Sequence, residues 1–447
     1  MTSITKTTSN VVSAAIVTAA MALPSLQFAY ADSAPERGIV SFKYLNYQDS
    51  QGSLSQYSSS SSSSTSTSTS SSGNVHSERE NDNHAIWIDT ISGATTVATS
   101  TATTPTVVTP KTLSTSTSST AHDRISVNAY SVMALVPIAG VWSFGTTYIS
   151  DSVSGASPTY HTSGLTTMHD ARQAVDAQLT RYFSSGNVSA GTSYSKESDY
   201  LSRSYSLQGS LSTEDKNTTF TLGGSLTDDT INPSTMPNLN AKKTTHAGLI
   251  GITRVLSKND IVQLNLGYSE GEGYYSDPYK YYDNRPGHRN NTTALARWNH
   301  HFEGTDGTVH LSYRYYSDTF GIRAHTLDTE YVQPLQNGWA VTPLLRLYTQ
   351  NEADFYIATG AAEKADPTVI TAPPQSATYY SEDQRLSAMG ALTVGLKVSK
   401  QLNHDWLVDA KVEFYEQRSQ WALSGKADTA LAPFSARSIQ LGISREF

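Results

Sequence analysis

Apolar and polar residues alternate with a period of two in one short segment after another, a spacing that predicts strands and not helices. Over 261–269, Val262, Leu264, Leu266 and Tyr268 fall on one parity, and Gln263, Asn265, Gly267 and Ser269 on the other. The chain ends the same way. Ile439, Leu441, Ile443 and Phe447 oppose Ser438, Gln440, Gly442, Ser444 and Glu446, with Arg445 as the charged residue on the apolar parity. The same reading gives strands over 38–47, 123–136, 141–151, 170–183, 187–195, 201–212, 218–226, 246–256, 292–302, 308–317, 325–335, 339–349, 386–399 and 406–415, about sixteen in all.

The connections alternate as well. At every second join they are short: Pro137–Gly140, 184–186, 214–216, 257–260, 303–307, 336–338 and 401–405. The others are mostly long: 51–121, 153–169, 227–243, 270–289, 350–384 and 417–434, with short exceptions near Lys196 and Asp318. Short turns at one end and long loops at the other belong to a transmembrane β-barrel. The expected fold is therefore all-β, an antiparallel transmembrane barrel of about sixteen strands, with short periplasmic turns and longer extracellular loops. An even count brings both termini to the periplasmic end. Trp142, Trp298, Trp339 and Trp406 fall at that end, where an aromatic girdle belongs.

Composition points the same way. Only 37% of the 447 residues are apolar, low for a soluble domain of that length but sufficient for a barrel that needs apolar side chains on its outer face alone. There are 26 Tyr against 11 Phe, which suits membrane interfaces and wet interiors. With no Cys, disulfides and thiolate chemistry are excluded, and a net charge of −8 argues against nucleic acid as a partner. Lys6, the apolar run Val11–Leu23 and Ala29-Tyr30-Ala31 read as a cleavable secretory signal over 1–31, leaving 32–447 as the barrel. No later run of 18 apolar residues exists, so any membrane crossing must be made by strands in contact with lipid. Residues 51–121 are dominated by Ser and Thr, including the run Ser58–Ser64, and are expected to be a disordered insertion in the first extracellular loop. Ile86-Trp87-Ile88 is the one apolar island within it.

The closing strand resembles that of bacterial outer-membrane barrels, whose terminal aromatic is read by the barrel-assembly machinery. Gly442, Ile443 and Phe447 match that signal, and Arg445 departs from it. Near an interface such an Arg snorkels at small cost. Three stretches, APERGIVSFKYLNYQDSQ, DRISVNAYSVMALVPIAGVWSFGTTYISDSVSGASPTYHT and ARQAVDAQLTRYF, are similar to a family of outer-membrane proteins of unknown function, domain of unknown function 3570. The resemblance implies the outer membrane and brings no activity with it. Relatives often stand beside thioredoxin-like and flavin-transferase proteins, which implies a periplasmic partner of thioredoxin-like or flavin-transfer type.

The inward parity carries charges of both signs: Asp176 beside Gln178, Arg314 beside Tyr316, Asp328 and Glu330, Arg346 beside Tyr348, and Asp409, Lys411 and Glu413. These are the candidates for lining the lumen, either as a water-filled constriction or as pairs that plug it. In 270–289, Tyr274, Tyr275, Tyr279, Tyr281 and Tyr282 are interleaved with Glu270, Glu272, Asp277 and Asp283, a pattern read here as a rigid loop lying along the membrane interface. For a hydrolase the candidates are Ser154 or Ser157 with His161, or His169 with Asp170. Ser is so abundant that one near a His carries little weight, and no GxSxG elbow is present, so the chain is read as not an enzyme. His300, His301 and His404 lack a second ligand pair at metal-binding spacing, and no metal or cofactor is expected. The functional expectation is a porin-like channel for small polar solutes. The alternatives are a non-conducting platform or export component for a periplasmic redox or cofactor system and, third, an outer-membrane hydrolase.

Overall fold

Sixteen strands close into a single antiparallel barrel. They are β1 Ile39–Gln51, β2 His122–Ile138, β3 Trp142–Pro158, β4 Leu165–Phe183, β5 Gly186–Lys196, β6 Tyr200–Ser212, β7 Thr218–Ile231, β8 Ala241–Val255, β9 Asp260–Gly273, β10 His288–Phe302, β11 Gly307–Asp318, β12 Arg323–Pro334, β13 Trp339–Gln350, β14 Met389–Gln401, β15 Trp406–Arg418 and β16 Phe434–Glu446. The computed structural model describes residues 33–51, 122–158, 165–234, 236–365 and 369–447. The expected signal over 1–31 and residues 52–121 of the expected insertion, with Ile86-Trp87-Ile88, lie outside the described residues.

Each strand pairs with its sequence neighbours, and β1 closes on β16 in register from Ile39↔Glu446 to Gln51↔Phe434. Beyond that ladder the chain ends hold each other. Gly38 and Phe447 exchange both backbone hydrogen bonds at 2.9 Å, and Arg37 donates to Glu446 at 3.0 Å and to Asp405.

The period of two is realised as two faces. Phe42, Tyr148, Leu179, Leu207, Leu222, Leu264, Leu347, Leu396, Phe414 and Leu441 stand exposed on the outside. On a soluble protein so continuous an apolar surface would aggregate, whereas against lipid tails it is the stable arrangement. The opposite parity is largely polar and hydrogen-bonded across strands, as in Thr180–Ser189 at 2.8 Å and Ser210–Thr221 at 3.3 Å.

The strands run further toward the long-loop end than the periodicity predicts. β3 and β4 stay paired out to Pro158↔Leu165, so the expected 153–169 loop shrinks to 159–164. A membrane crossing takes about 9–11 residues, yet β4 has 19. Past the lipid, both faces meet water or loops and the apolar alternation stops, while the backbone ladder continues because each N–H and C=O still has a partner. The opposite correction applies to β14. It begins at Met389 and not at Leu386, because 384–386 form a single 3₁₀ turn capped by Asp383. No described helix is long and apolar enough to cross a membrane.

Candidate functional site

The tight-turn end is ringed by tryptophans. Trp142, Trp339 and Trp406 open β3, β13 and β15, and Trp298 lies near the end of β10. Three of the four rings carry a cation: Arg181 on Trp142 at 5.0 Å, Lys400 on Trp339 at 5.2 Å and Arg445 on Trp406 at 5.4 Å. The Trp298 indole N–H donates to Asp260 at 2.9 Å. Arg445, the charge on the apolar parity, thus covers an indole beside the chain end. Phe447 packs its ring on Gly38, where an added Cβ would lie 2.5 Å from the ring. Gly442 leaves room for Asp409, whose carboxylate would lie 2.3 Å from a Cβ there. Ile443 is on the exposed outer face.

Inside, the charged residues sit in small groups, some across strands and some along one strand. Asp328 and Arg346 are register partners, and Arg346 donates through Nε to Asp328 at 2.6 Å. Lys411 pairs with Glu413 at 2.9 Å, and Ser438 donates to the same Glu413 at 3.4 Å. Asp409 stands opposite Ser399 and Gly442. Asp176, Arg314, Asp328, Glu330, Arg346, Asp409 and Glu413 are all half-buried, and Lys411 is buried. One sector of the inner wall departs from this wet pattern. Leu45, Val127, Ala129, Ile149, Val153, Ala174 and Phe434 form a buried apolar cluster there, next to a buried Arg124–Asp49 pair at 3.3 Å.

The long-loop end is roofed by its own loops. Residues 274–287 do not lie along the membrane interface, as their tyrosines suggest. They turn inward, with Tyr275 3% and Tyr279 2% exposed. Gly271 lies on the inward parity of β9, and a Cβ there would sit 1.7 Å from the Tyr275 hydroxyl, so the missing side chain lets the ring reach the wall. The loop then meets the 351–388 connection in a buried network of charges. Arg285 donates to Asp283 and Asp383, each at 2.8 Å. Arg385 donates to Asp383 at 2.7 Å and to Asp277 at 2.6 Å. Lys280 donates to Gln384 at 3.0 Å, and residues 283–284 pair with 380–381 in a short ladder. Burial pushes the Asp383 carboxyl up, but Arg385, Arg285 and Lys280 outweigh it and hold the group well below the usual carboxylate range.

Aromatic packing completes the roof. Phe320 meets Tyr275 edge-on at 5.9 Å and Phe355 at 5.0 Å, beside Tyr316 and Tyr348 of the inner wall. Asp318 anchors this patch. It accepts from Arg289 at 2.7 Å, from the Tyr316 hydroxyl at 2.8 Å, and from the N–H groups of Phe320 and Ile322 at 3.0 Å.

Among the described residues, the hydrolase candidates Ser154, His169 and Asp170 do not converge. Ser154 and His169 are register partners on β3 and β4, but Asp170 is on the other parity, buried, and accepts from Ser198 at 3.1 Å. The side chain of Ser157, and His161, lie outside the described residues. His300 bonds Asp260 at 2.8 Å, His301 bonds Thr308 at 3.2 Å and His404 bonds Arg37 at 3.0 Å; each is engaged in a rim contact of its own.

A family model described as "Protein of unknown function (DUF3570)" matches residues 13–239 and 234–438, most of the chain. The chain belongs to the DUF3570 family. No curated protein matches this DUF3570 chain. Among solved structures it is similar to a bacterial polysaccharide outer membrane secretin at 6% identity, covering 91% of this chain and 98% of that one, TM-score 0.45. It is also similar to OccK2 (OpdF) of Pseudomonas aeruginosa, solved with glucuronate, at 8% identity over 93% and 99%, TM-score 0.40. A FadL homologue of Pseudomonas aeruginosa matches at 9% identity over 92% and 90%, TM-score 0.39.

Several groups central to the mouth of this DUF3570 barrel have no periodic signal. Arg285, Asp383 and Arg385 come from loops, where no parity assigns a direction. Glu197 and Asp199 form an acidic i, i+2 pair at the tip between β5 and β6, and that spacing was the one clue available. Burial drives Glu197 well above the usual carboxylate range and Asp199 up to about 7.

Proposed function

We propose that this DUF3570 protein is a porin-like channel of the outer membrane for small polar solutes, narrowed at its outer mouth by its own loops. The observation that carries this reading is the half-buried state of the lumen charges. Asp176, Arg314, Asp328, Glu330, Arg346, Asp409 and Glu413 line the wall yet remain accessible beneath the roof. A wall built to be packed solid would bury them or replace them with apolar side chains, because an unfilled shell of charge is costly to desolvate. A sixteen-stranded barrel is wide enough for an aqueous path unless loops fill it. The exposed apolar outer face and the cation-capped tryptophans at the tight-turn end support insertion with both termini on the periplasmic side.

The test is single-channel recording of the refolded barrel in a planar bilayer. Discrete conducting steps are expected, and Arg346→Glu should shift selectivity toward cations by placing a second carboxylate beside Asp328. Electrical silence from a demonstrably folded barrel would overturn the channel and favour a non-conducting barrel serving a periplasmic redox or cofactor partner.

A further inference from the structure

Asp170, Glu197 and Asp199 offer carboxylate oxygens that all lie within 4.8 Å of one another, and all three residues are buried. Asp170 projects from β4, while Glu197 and Asp199 belong to the three-residue connection between β5 and β6. That tip is held in place. The Glu197 N–H donates to the Tyr200 carbonyl at 2.8 Å, the Asn232 N–H to the Asp199 carbonyl at 2.7 Å, and the Ser198 hydroxyl to Asp170 at 3.1 Å.

Two of its three members keep carboxylate oxygens without a hydrogen-bond partner. Glu197 is 5% exposed, and neither of its carboxylate oxygens has a hydrogen-bond partner. Asp199 accepts from the Tyr279 hydroxyl with one oxygen, and its other oxygen is buried and bare. Arg172, the nearby guanidinium, gives its Nε to Asp151 at 2.8 Å. Glu197 and Asp199 thus bring three carboxylate oxygens without a hydrogen-bond partner into a desolvated corner. Burying ionised carboxylates without partners is strongly unfavourable, and either a bound cation or protons must offset it.

We infer that Asp170, Glu197 and Asp199 hold a calcium ion, and that the ion fixes the 274–287 loop to the barrel rim through Tyr279. The donor set is all oxygen, the preference of a hard cation, with neither His nor Cys to favour a softer one. Oxygens on opposite sides of a calcium ion stand about 5 Å apart, so the observed spread accommodates one. Magnesium, with shorter bonds and a tightly kept water shell, suits a dry carboxylate cluster less. The coupling to the loop is direct. Tyr279 spans from the loop to Asp199, and Tyr275 of the same loop lies beside Lys243, which pairs with Asp229 at 2.7 Å on the inner wall.

The experiment is calorimetric titration of calcium into the full-length refolded protein in detergent. It is paired with thermal unfolding, followed by gel mobility, in calcium and in EDTA. One ion per chain and a higher unfolding midpoint in calcium are expected, with slower hydrogen exchange over 274–287. Glu197→Gln and Asp199→Asn should each weaken binding at least tenfold. Tyr279→Phe should keep the ion but lose the calcium-dependent protection of the loop, and retained protection would sink the coupling to the loop. Absence of calcium binding by the wild type, or unchanged binding in both carboxylate variants, overturns the site. So does a wild type indifferent to calcium together with a Glu197→Gln barrel more stable in EDTA, since protons would then neutralise the cluster. None of these readouts depends on whether the barrel conducts.

Discussion

Gly186 shows how little space the tight turns leave. A Cβ there would lie 2.0 Å from the backbone carbonyl oxygen of Ser210, which cannot swing aside as a side chain can. Gly186→Ala should therefore cost about 1–3 kcal/mol and lower the fraction that refolds to heat-resistant mobility. Gly248→Ala, with nothing within 4 Å, should refold like the parent. Asp383 supports a second prediction. Replacing it with Asn removes the carboxylate shared by Arg285 and Arg385, and a broken buried pair costs about 3–5 kcal/mol. Faster hydrogen exchange over 277–285 and 380–386, with the strands unaffected, is the expected result. The pH sign follows from the depressed folded value. Asp383 contributes above its unfolded value of 3.8 and loses that contribution only as pH falls through the still lower folded value. At pH 4.5 its hold on the roof should persist, so Asp383→Asn should speed exchange over 380–386 at pH 4.5 as it does at pH 7, after correction for intrinsic rates. Parity put Asp328 and Arg346 on the inward face, and the strand register then makes them partners. It was silent on Asp383 and Arg385, because a loop residue points wherever packing sends it.

At the scale of the element, the strands were legible where one face meets lipid and the other meets water. Leu264, Leu266 and Tyr268 on β9 are exposed outside as their period requires. The upper ends were not legible. Gly155 pairs with Met168 and Ser157 with Thr166, yet nothing in SGASP or LTTMH alternates, because backbone hydrogen bonds alone sustain those rungs. The join between β1 and β2 gives a direct test. Gln51 and His122 are register partners, so the two strands already stand side by side where the chain leaves the barrel. Replacing residues 52–121 with a short Gly-Ser turn should preserve refolding and heat-modifiable mobility, since a long loop adds little to a ladder formed on both sides of it. Loss of the heat-resistant band would show that the segment contributes to the barrel.

For the molecule as a whole, closure is the property that turns a sheet into a wall without edges. The even strand count and the alternating connection lengths made it legible; the inward roof was not, because Tyr275 and Tyr279 look equally suited to an interface. Ser41 and Ser444 are register partners across the seam. A chain with no native Cys makes the check clean, because Ser41→Cys with Ser444→Cys can bond only to each other within one barrel. Paired strand positions lie about 4.5–5.5 Å apart at Cα, within disulfide reach. Oxidation should give an intramolecular link in the folded barrel and none in urea. The seam also bears on time. Most strands find a partner close by in sequence and can zip in turn, but both ladders of β1 are distant, one across the whole of 52–121 and the other across the entire chain. Non-local pairing of that kind is slow. The barrel's first strand in chain order is therefore the last to be seated, and the state that waits for it is an open sheet of fifteen strands with β2 and β16 as its bare edges, the species most in need of a chaperone.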